Sequence, residues 1–277
     1  MRVEVAKAAG VCYGVERALK LAEEATAREG QVHSLGPIIH NPQAVEYLRQ
    51  RGLEVADSLD QVEGGTLVIR THGVPAEIIA AATERGLVVE DATCPYVKKV
   101  HRAVESLAAE GYLVVIVGES DHPEVIGIRT RAGENALVIE RADELPEQIA
   151  GRKVGVVVQT TQTEGTLNEV ILSLLPRVNE LRIFNTICDA TTQRQDAAYD
   201  LAGRVDVMVV VGGHNSGNTN RLAEICTGVN PRTHLVETAA ELDESWFAGA
   251  ELVGVTAGAS TPDAQIREVI SVIEAIH

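Results

Sequence analysis

The chain has 277 residues and a formal net charge of −16, a balance that argues against a nucleic-acid partner. With 45% hydrophobic and only 3% aromatic residues it can bury a core of Val, Ile, Leu and Ala. No apolar run spans a bilayer and the first residues lack a signal-peptide stretch, so a cytoplasmic protein with reduced cysteines is expected, with no membrane partner.

In chain order, short β-like runs alternate with helical patterns from end to end, which predicts α/β architecture with mostly parallel sheets. Val3-Glu4-Val5 leads to Cys12, in Gly10-Val11-Cys12-Tyr13-Gly14-Val15, and helices are expected near 13–29, 42–51 and 75–85. Leu87-Val88-Val89-Glu90 leads to Cys94, in Asp91-Ala92-Thr93-Cys94-Pro95. Pro95 suits a first helical position, and Val97, Val100, Val104 and Leu107 mark one helix face, so Cys94 is the expected cap. Asp143-Glu144-Leu145-Pro146 is expected to open a short helix. Leu181-Arg182-Ile183-Phe184 leads to Cys188, in Asn185-Thr186-Ile187-Cys188-Asp189-Ala190-Thr191.

These segments repeat. A glycine ends the next strand 24 residues after each cysteine: Gly36 (36 − 12), Gly118 (118 − 94) and Gly212 (212 − 188). Polar clusters follow, with His40-Asn41-Pro42, His122-Pro123-Glu124 and His214-Asn215-Ser216-Gly217-Asn218. A later strand in each copy runs into Thr71-His72-Gly73, Gln159-Thr160-Thr161 and Gly258-Ala259-Ser260. The chain therefore reads as three copies of one α/β unit. The strand before each cysteine could belong to its own copy or pack on the previous one. Ligands of open parallel sheets bind beyond the strands' carboxyl ends, and three copies around a pseudo-threefold axis would bring the cysteines to one centre there.

Three thiolates brought together would repel one another without a metal. Zinc with three cysteines and water is one solution. A cubane iron–sulfur cluster, which normally takes four cysteines, is another, leaving one iron open. Cys226, in a mid-helix pattern with no counterpart in the other copies, reads as packing. His40, His72 and His122 fall in repeat-matched strand-end loops. Ser216, Gly217 and Asn218 suit an anion at a helix start. Glu124 could donate a proton, with Thr160 and Thr161 as relay candidates. His33, His101, His234 and His277 read as structural or surface residues.

These motifs, with Thr71-His72-Gly73-Val74, His122-Pro123-Glu124-Val125, Asn215-Ser216-Gly217-Asn218-Thr219 and Gly258-Ala259-Ser260-Thr261-Pro262, together resemble the 4-hydroxy-3-methylbut-2-enyl diphosphate reductase (IspH/LytB) family over essentially the whole chain. The resemblance implies a trefoil of three similar α/β domains around a central cluster cavity, at 13–93, 94–186 and 187–277 plus 1–12. It implies a [4Fe–4S] cluster on Cys12, Cys94 and Cys188 with one open iron site. His40, His72, Ser216, Gly217, Asn218 and Ser260 match substrate-holding positions. Gly217 stands where some members have serine, which removes a hydroxyl and leaves a backbone N–H. His122 and Thr160 match positions near the substrate hydroxyl, and Glu124 matches the proton donor. The implied oxidoreductase removes the hydroxyl of an allylic diphosphate reductively, giving isopentenyl and dimethylallyl diphosphate in the non-mevalonate route. Ferredoxin or flavodoxin is the implied donor, docking near Lys7, Lys98, Lys99 or Arg194. A three-cysteine iron–sulfur hydro-lyase, a non-enzymatic iron–sulfur sensor and a zinc hydrolase are the competing readings.

Overall fold

The computed structural model describes residues 1–28 and 30–276. Glu29, at the end of the first expected helix, and His277 lie outside the described residues.

The strands are β1 (Arg2–Val5), β2 (Val32–Leu35), β3 (Leu53–Ala56), β4 (Thr66–Ile69), β5 (Val88–Asp91), β6 (Leu113–Val117), β7 (Ala136–Ile139), β8 (Lys153–Val158), β9 (Glu180–Ile183), β10 (Val207–Val211), β11 (Thr233–Val236) and β12 (Leu252–Ala257). Among the described residues they form three four-stranded sheets, ordered β3-β2-β4-β5, β7-β6-β8-β9 and β11-β10-β12-β1. The orders are one permutation used three times, and every pairing is parallel. The strand before each cysteine pairs with the preceding copy: β5 on β4, β9 on β8, and β1 on β12, where Arg2 lies opposite Leu252.

Helices α1 (Tyr13–Thr26), α2 (Pro42–Arg49), α3 (Ala76–Glu84), α4 (Pro95–Ala109), α5 (Pro123–Ala132), α6 (Glu164–Leu174), α7 (Asp189–Ala202), α8 (Gly217–Val229) and α9 (Asp263–Ala275) alternate with the strands. On α4 the predicted face is the buried one, with Val97, Val100, Val104 and Leu107 all in the core. Strands β6 and β10 are continuous runs of β-branched and aliphatic residues, and Val114–Val117 and 207–211 are fully buried. Such runs belong to parallel strands covered on both faces. Truncating Ile116 to Ala would cost about 2–5 kcal/mol.

The short helix expected at Asp143–Pro146 is instead a pair of 3-10 turns, Ala142–Glu144 and Glu147–Ile149. Pro146 has no N–H to give and holds Leu145 extended (φ −66°, ψ 115°), so α-helix cannot run through the pair.

The chain divides into two compact units, one of residues 1–16, 39–47 and 189–277, the other of 17–38 and 48–188. The first holds the β11-β10-β12-β1 sheet and the second holds the other two.

Candidate active site

Each cysteine immediately precedes a helix and is fastened by its own N–H to the loop after the third strand of a copy. The Cys12 N–H donates to Ala259 O (3.0 Å), that of Cys94 to Thr71 O (2.9 Å) and that of Cys188 to Thr160 O (3.1 Å). Cys94 is the N-cap of α4, as expected, and its carbonyl accepts the Lys98 N–H. All three are half-buried and outside any disulfide. Cys226 differs: it is fully buried, and burial pushes its thiol up to about 12. That thiol packs and does not ligate.

In the second unit, Gly118 ends β6 and lets the Gln159 side chain close over it. A Cβ there would stand 2.6 Å from Gln159 Oε1 and 2.9 Å from Val125 Cγ2. Gln159 Oε1 accepts the Glu119 N–H (2.9 Å), and its Nε2 donates to Thr161 Oγ1 (3.0 Å). This pins the loop carrying Thr160 against the start of α5. His122 is the N-cap of α5, and its Nδ1 accepts the Glu124 N–H (3.1 Å), so the ring proton sits on Nε2. Glu124 follows in the first turn, 1% exposed. Its Oε1 accepts the Thr160 N–H (2.7 Å) and its Oε2 the Thr160 hydroxyl (2.8 Å). Burial raises this carboxyl from 4.5 to about 7; the two Thr160 bonds pull it down and the Glu119 charge pushes it further up. The result is a carboxyl that carries a proton near neutrality. The His72 ring meets the His122 ring edge-on, with centroids 5.4 Å apart.

In the first unit, α8 begins at Gly217. Its cap is Ser216, whose Oγ accepts the Thr219 N–H (3.3 Å). Asn218 is buried, and both its side-chain oxygen and its nitrogen lack a hydrogen-bond partner among the described residues. A buried amide left so is costly in a finished core, but it is what a binding loop presents to a polar ligand. Buried Ser260 donates its hydroxyl to the His40 carbonyl (2.9 Å). These groups sit at a helix N-terminus rich in N–H donors, which suits phosphate oxygens.

Some expectations change. Arg194 is not a surface cation: it is 4% exposed and spends its guanidinium on the Gly10 and Ala190 carbonyls (2.8 and 3.0 Å). It braces the Cys12 loop and cannot meet a docking partner. His101, read as structural or surface, proves structural and is buried against the His72 loop. A Cβ at Gly73 (φ +73°) would stand 3.0 Å from His101 Cε1. Burial, then the Arg131 and Lys98 charges, lower this imidazole to about 4 against the opposing pull of Asp91, so it packs as a neutral ring. Arg17 donates to the carbonyls of Asp91 and Thr93 beside Cys94 (3.3 and 3.4 Å). Neither role had a signal in sequence spacing.

Residues 3–274 match the family described as LytB protein. The 4-hydroxy-3-methylbut-2-enyl diphosphate reductase of Pelobacter propionicus is 50% identical over 277 residues, which is 100% of this chain and 99% of that one. That of Geobacter sulfurreducens is 50% identical over 274 residues, 99% of this chain and 97% of its own. Among solved structures, an (E)-4-hydroxy-3-methyl-but-2-enyl diphosphate reductase, the terminal enzyme of the non-mevalonate pathway, is similar at 46% identity and TM-score 0.73, covering 100% of both chains. The E-1-hydroxy-2-methyl-but-2-enyl-4-diphosphate reductase of Plasmodium falciparum is similar at 28% identity and TM-score 0.90, over 98% of this chain and 87% of that one.

Proposed function

The chain belongs to the LytB family, and on that premise we propose that it reduces 4-hydroxy-3-methylbut-2-enyl diphosphate to isopentenyl and dimethylallyl diphosphate. The reaction breaks the allylic C–O bond, releases the oxygen as water and forms one C–H bond, consuming two electrons and two protons. The observation that carries this reading is the buried Glu124–Thr160 pair, a carboxyl with both oxygens on Thr160 and its pKa raised by burial to about 7.

The neutral acid keeps the Thr160 N–H on Oε1 and turns its own O–H toward Thr160 Oγ1. The threonine hydroxyl, now accepting, is free to donate its hydrogen onward to the substrate hydroxyl. One proton thus passes along two short bonds, and Glu124 is left as the carboxylate that same N–H and hydroxyl stabilise. His122, its proton on Nε2 and its Nδ1 fixed by the backbone, orients the same hydroxyl together with Thr160. Ser216, Gly217, Asn218, Ser260, His40 and His72 hold the diphosphate. Histidines suit that task because they share protons with phosphate oxygens near neutral pH.

The donor set fits an iron–sulfur cluster: Cys12, Cys94 and Cys188 are half-buried cap-position thiols, and the fourth cysteine is sequestered. A [4Fe–4S] cluster on these three would supply single electrons and an open, Lewis-acidic iron. The same reading divides the chain into three α/β domains, 13–93, 94–186 and 187–277 with 1–12. It places the protein in the cytoplasm with ferredoxin or flavodoxin as donor. No helix among the described residues is long and apolar enough to cross a membrane. With Arg194 buried, the cations left for the donor are Lys7, Lys98 and Lys99. Lys98 already pairs with Asp91 (2.6 Å) and Lys99 lies over the Tyr96 ring.

The test is anaerobic. Iron and sulfide are quantified, paramagnetic resonance is recorded with and without the allylic diphosphate, and turnover is followed with and without a low-potential reductant. The expected outcome is a spectral change on substrate addition and strict dependence on the reductant. Turnover without reductant would replace this reading with a hydro-lyase, and zinc in place of iron with a hydrolase.

A further inference from the structure

Segment 39–47 belongs to the compact unit that holds the Ser216–Asn218 loop, although β2 and β3 on either side of it belong to the other. A buried chain of amides fastens it there. Asn41 Oδ1 accepts the Ala44 N–H (2.9 Å), which caps α2. That bond fixes which way the amide faces, and Asn41 Nδ2 donates to Gln265 Oε1 (3.1 Å). Gln265, at the start of α9, then has its Nε2 on the far side, where it donates to the carbonyl of Glu237. Glu237 Oε2 in turn accepts the His214 N–H (3.3 Å), in the loop that leads to Ser216. The direction of every link is set by a backbone N–H at one end and a backbone carbonyl at the other. Beside Asn41, the His40 carbonyl is clamped between Ser260 Oγ and Gly213, where a Cβ would stand 3.2 Å away.

We propose that Gln265 is a positioning residue for the diphosphate loops: through Asn41 it sets the His40 segment, and through Glu237 the Ser216–Asn218 turn, so that both present their donors to one anion. The proposal rests on the reading of these loops as the diphosphate site. A buried amide pair could serve stability alone, but this pair links two segments expected to hold one ligand, and each link ends on the backbone of such a segment or the loop before it. Breaking it should loosen the anion's seat and leave the proton-donating cluster in the other unit as it is.

The experiment uses the full chain prepared anaerobically, in wild-type form and as Gln265→Met, Asn41→Ser and the double variant. Methionine keeps the volume and removes both bonds; serine keeps an oxygen to cap α2 and removes the bond to Gln265. Calorimetry with inorganic diphosphate, KM, kcat and melting temperature are measured for each. Each single variant is expected to bind diphosphate about five- to tenfold more weakly and to raise KM alike, because each cuts the Asn41–Gln265 link, with kcat within about twofold. The double variant should be no worse than Gln265→Met. Wild-type affinity in the variants, losses that multiply in the double, or a fall in kcat at constant KM would overturn the proposal, even where the melting temperature drops. If Gln265→Met does not fold, Asn41→Ser decides alone. Failure of the wild-type protein to bind diphosphate would instead remove the reading of the loops as an anion site, and the proposal with it.

Discussion

The two halves of the proposed chemistry are built on opposite plans. In the second unit, Glu124 arrives with both oxygens already hydrogen-bonded by Thr160 and its backbone N–H on His122. In the first, Asn218 is buried with its amide oxygen and nitrogen unmatched among the described residues. A proton donor must hold its geometry and its pKa before substrate arrives, so the protein completes it. An anion site gains specificity when its polar groups are satisfied only by the ligand, so stability is given up there. The comparison makes separable predictions.

The largest effect should come from Glu124→Gln, which keeps an acceptor for the Thr160 N–H and removes the transferable proton. Turnover should fall at least about a hundredfold while inorganic diphosphate binds as before. Comparable losses in both would mean the two halves are not separate. Next, Asn218→Leu should weaken diphosphate binding about tenfold or more without lowering the melting temperature, because an unsatisfied buried amide costs about 1–3 kcal/mol. A lower melting temperature with unchanged affinity would show that Asn218 serves the core.

The pH dependence is comparable in size. With the acid form required and its pKa near 7, kcat should fall about tenfold from pH 6 to pH 8. Stability moves with it. The folded carboxyl titrates at about 7 against 4.5 unfolded, so below 4.5 both states are protonated and the shift costs nothing. As pH rises through that window the unfolded chain ionises while the folded group keeps its proton, so the fold loses stability, by on the order of 3 kcal/mol above pH 7. Glu124→Gln should therefore melt higher than the wild type at pH 8 and alongside it at pH 4. The smallest effect is expected for Gly73→Ala, where a positive φ and the nearby His101 ring should cost about 1–2 kcal/mol, read from chemical unfolding.

Periodicity and repetition were strong enough in the sequence to reveal the α/β alternation, the cap at Cys94 and the equivalence of Gly36, Gly118 and Gly212. These are local signals, set by helix geometry and by the turn after a strand. Family motifs then carried the proposed site residues. What stayed hidden depends on which side of an element faces inward across long sequence separations. Arg194 looked like any cation on an early helical turn until its guanidinium met the Gly10 carbonyl. His101 sits in the same helix as the correctly read Val97 and Val104, yet only the approach of Gly73 explains a histidine there. Gln265 was silent because its partner, Asn41, is more than two hundred residues away. At Pro146 a local rule was available and was outweighed by the acidic residues that imitate a helix start.

The parallel pairing of β1 with β12 has a consequence for how the polypeptide comes together. Arg2 leaves the ribosome almost an entire chain length before Leu252, whereas β5 and β9 find their neighbours within a single copy. The first strand must wait, its edge open, until synthesis is nearly finished, and long-range parallel pairing is slow. The Cys12 N–H, held by Ala259, is fastened only after that event. Fixing of the Cys12 loop is thereby scheduled to follow completion of the fold, so a truncated product that lacks β12 and the loop after it would leave Cys12 without its backbone anchor.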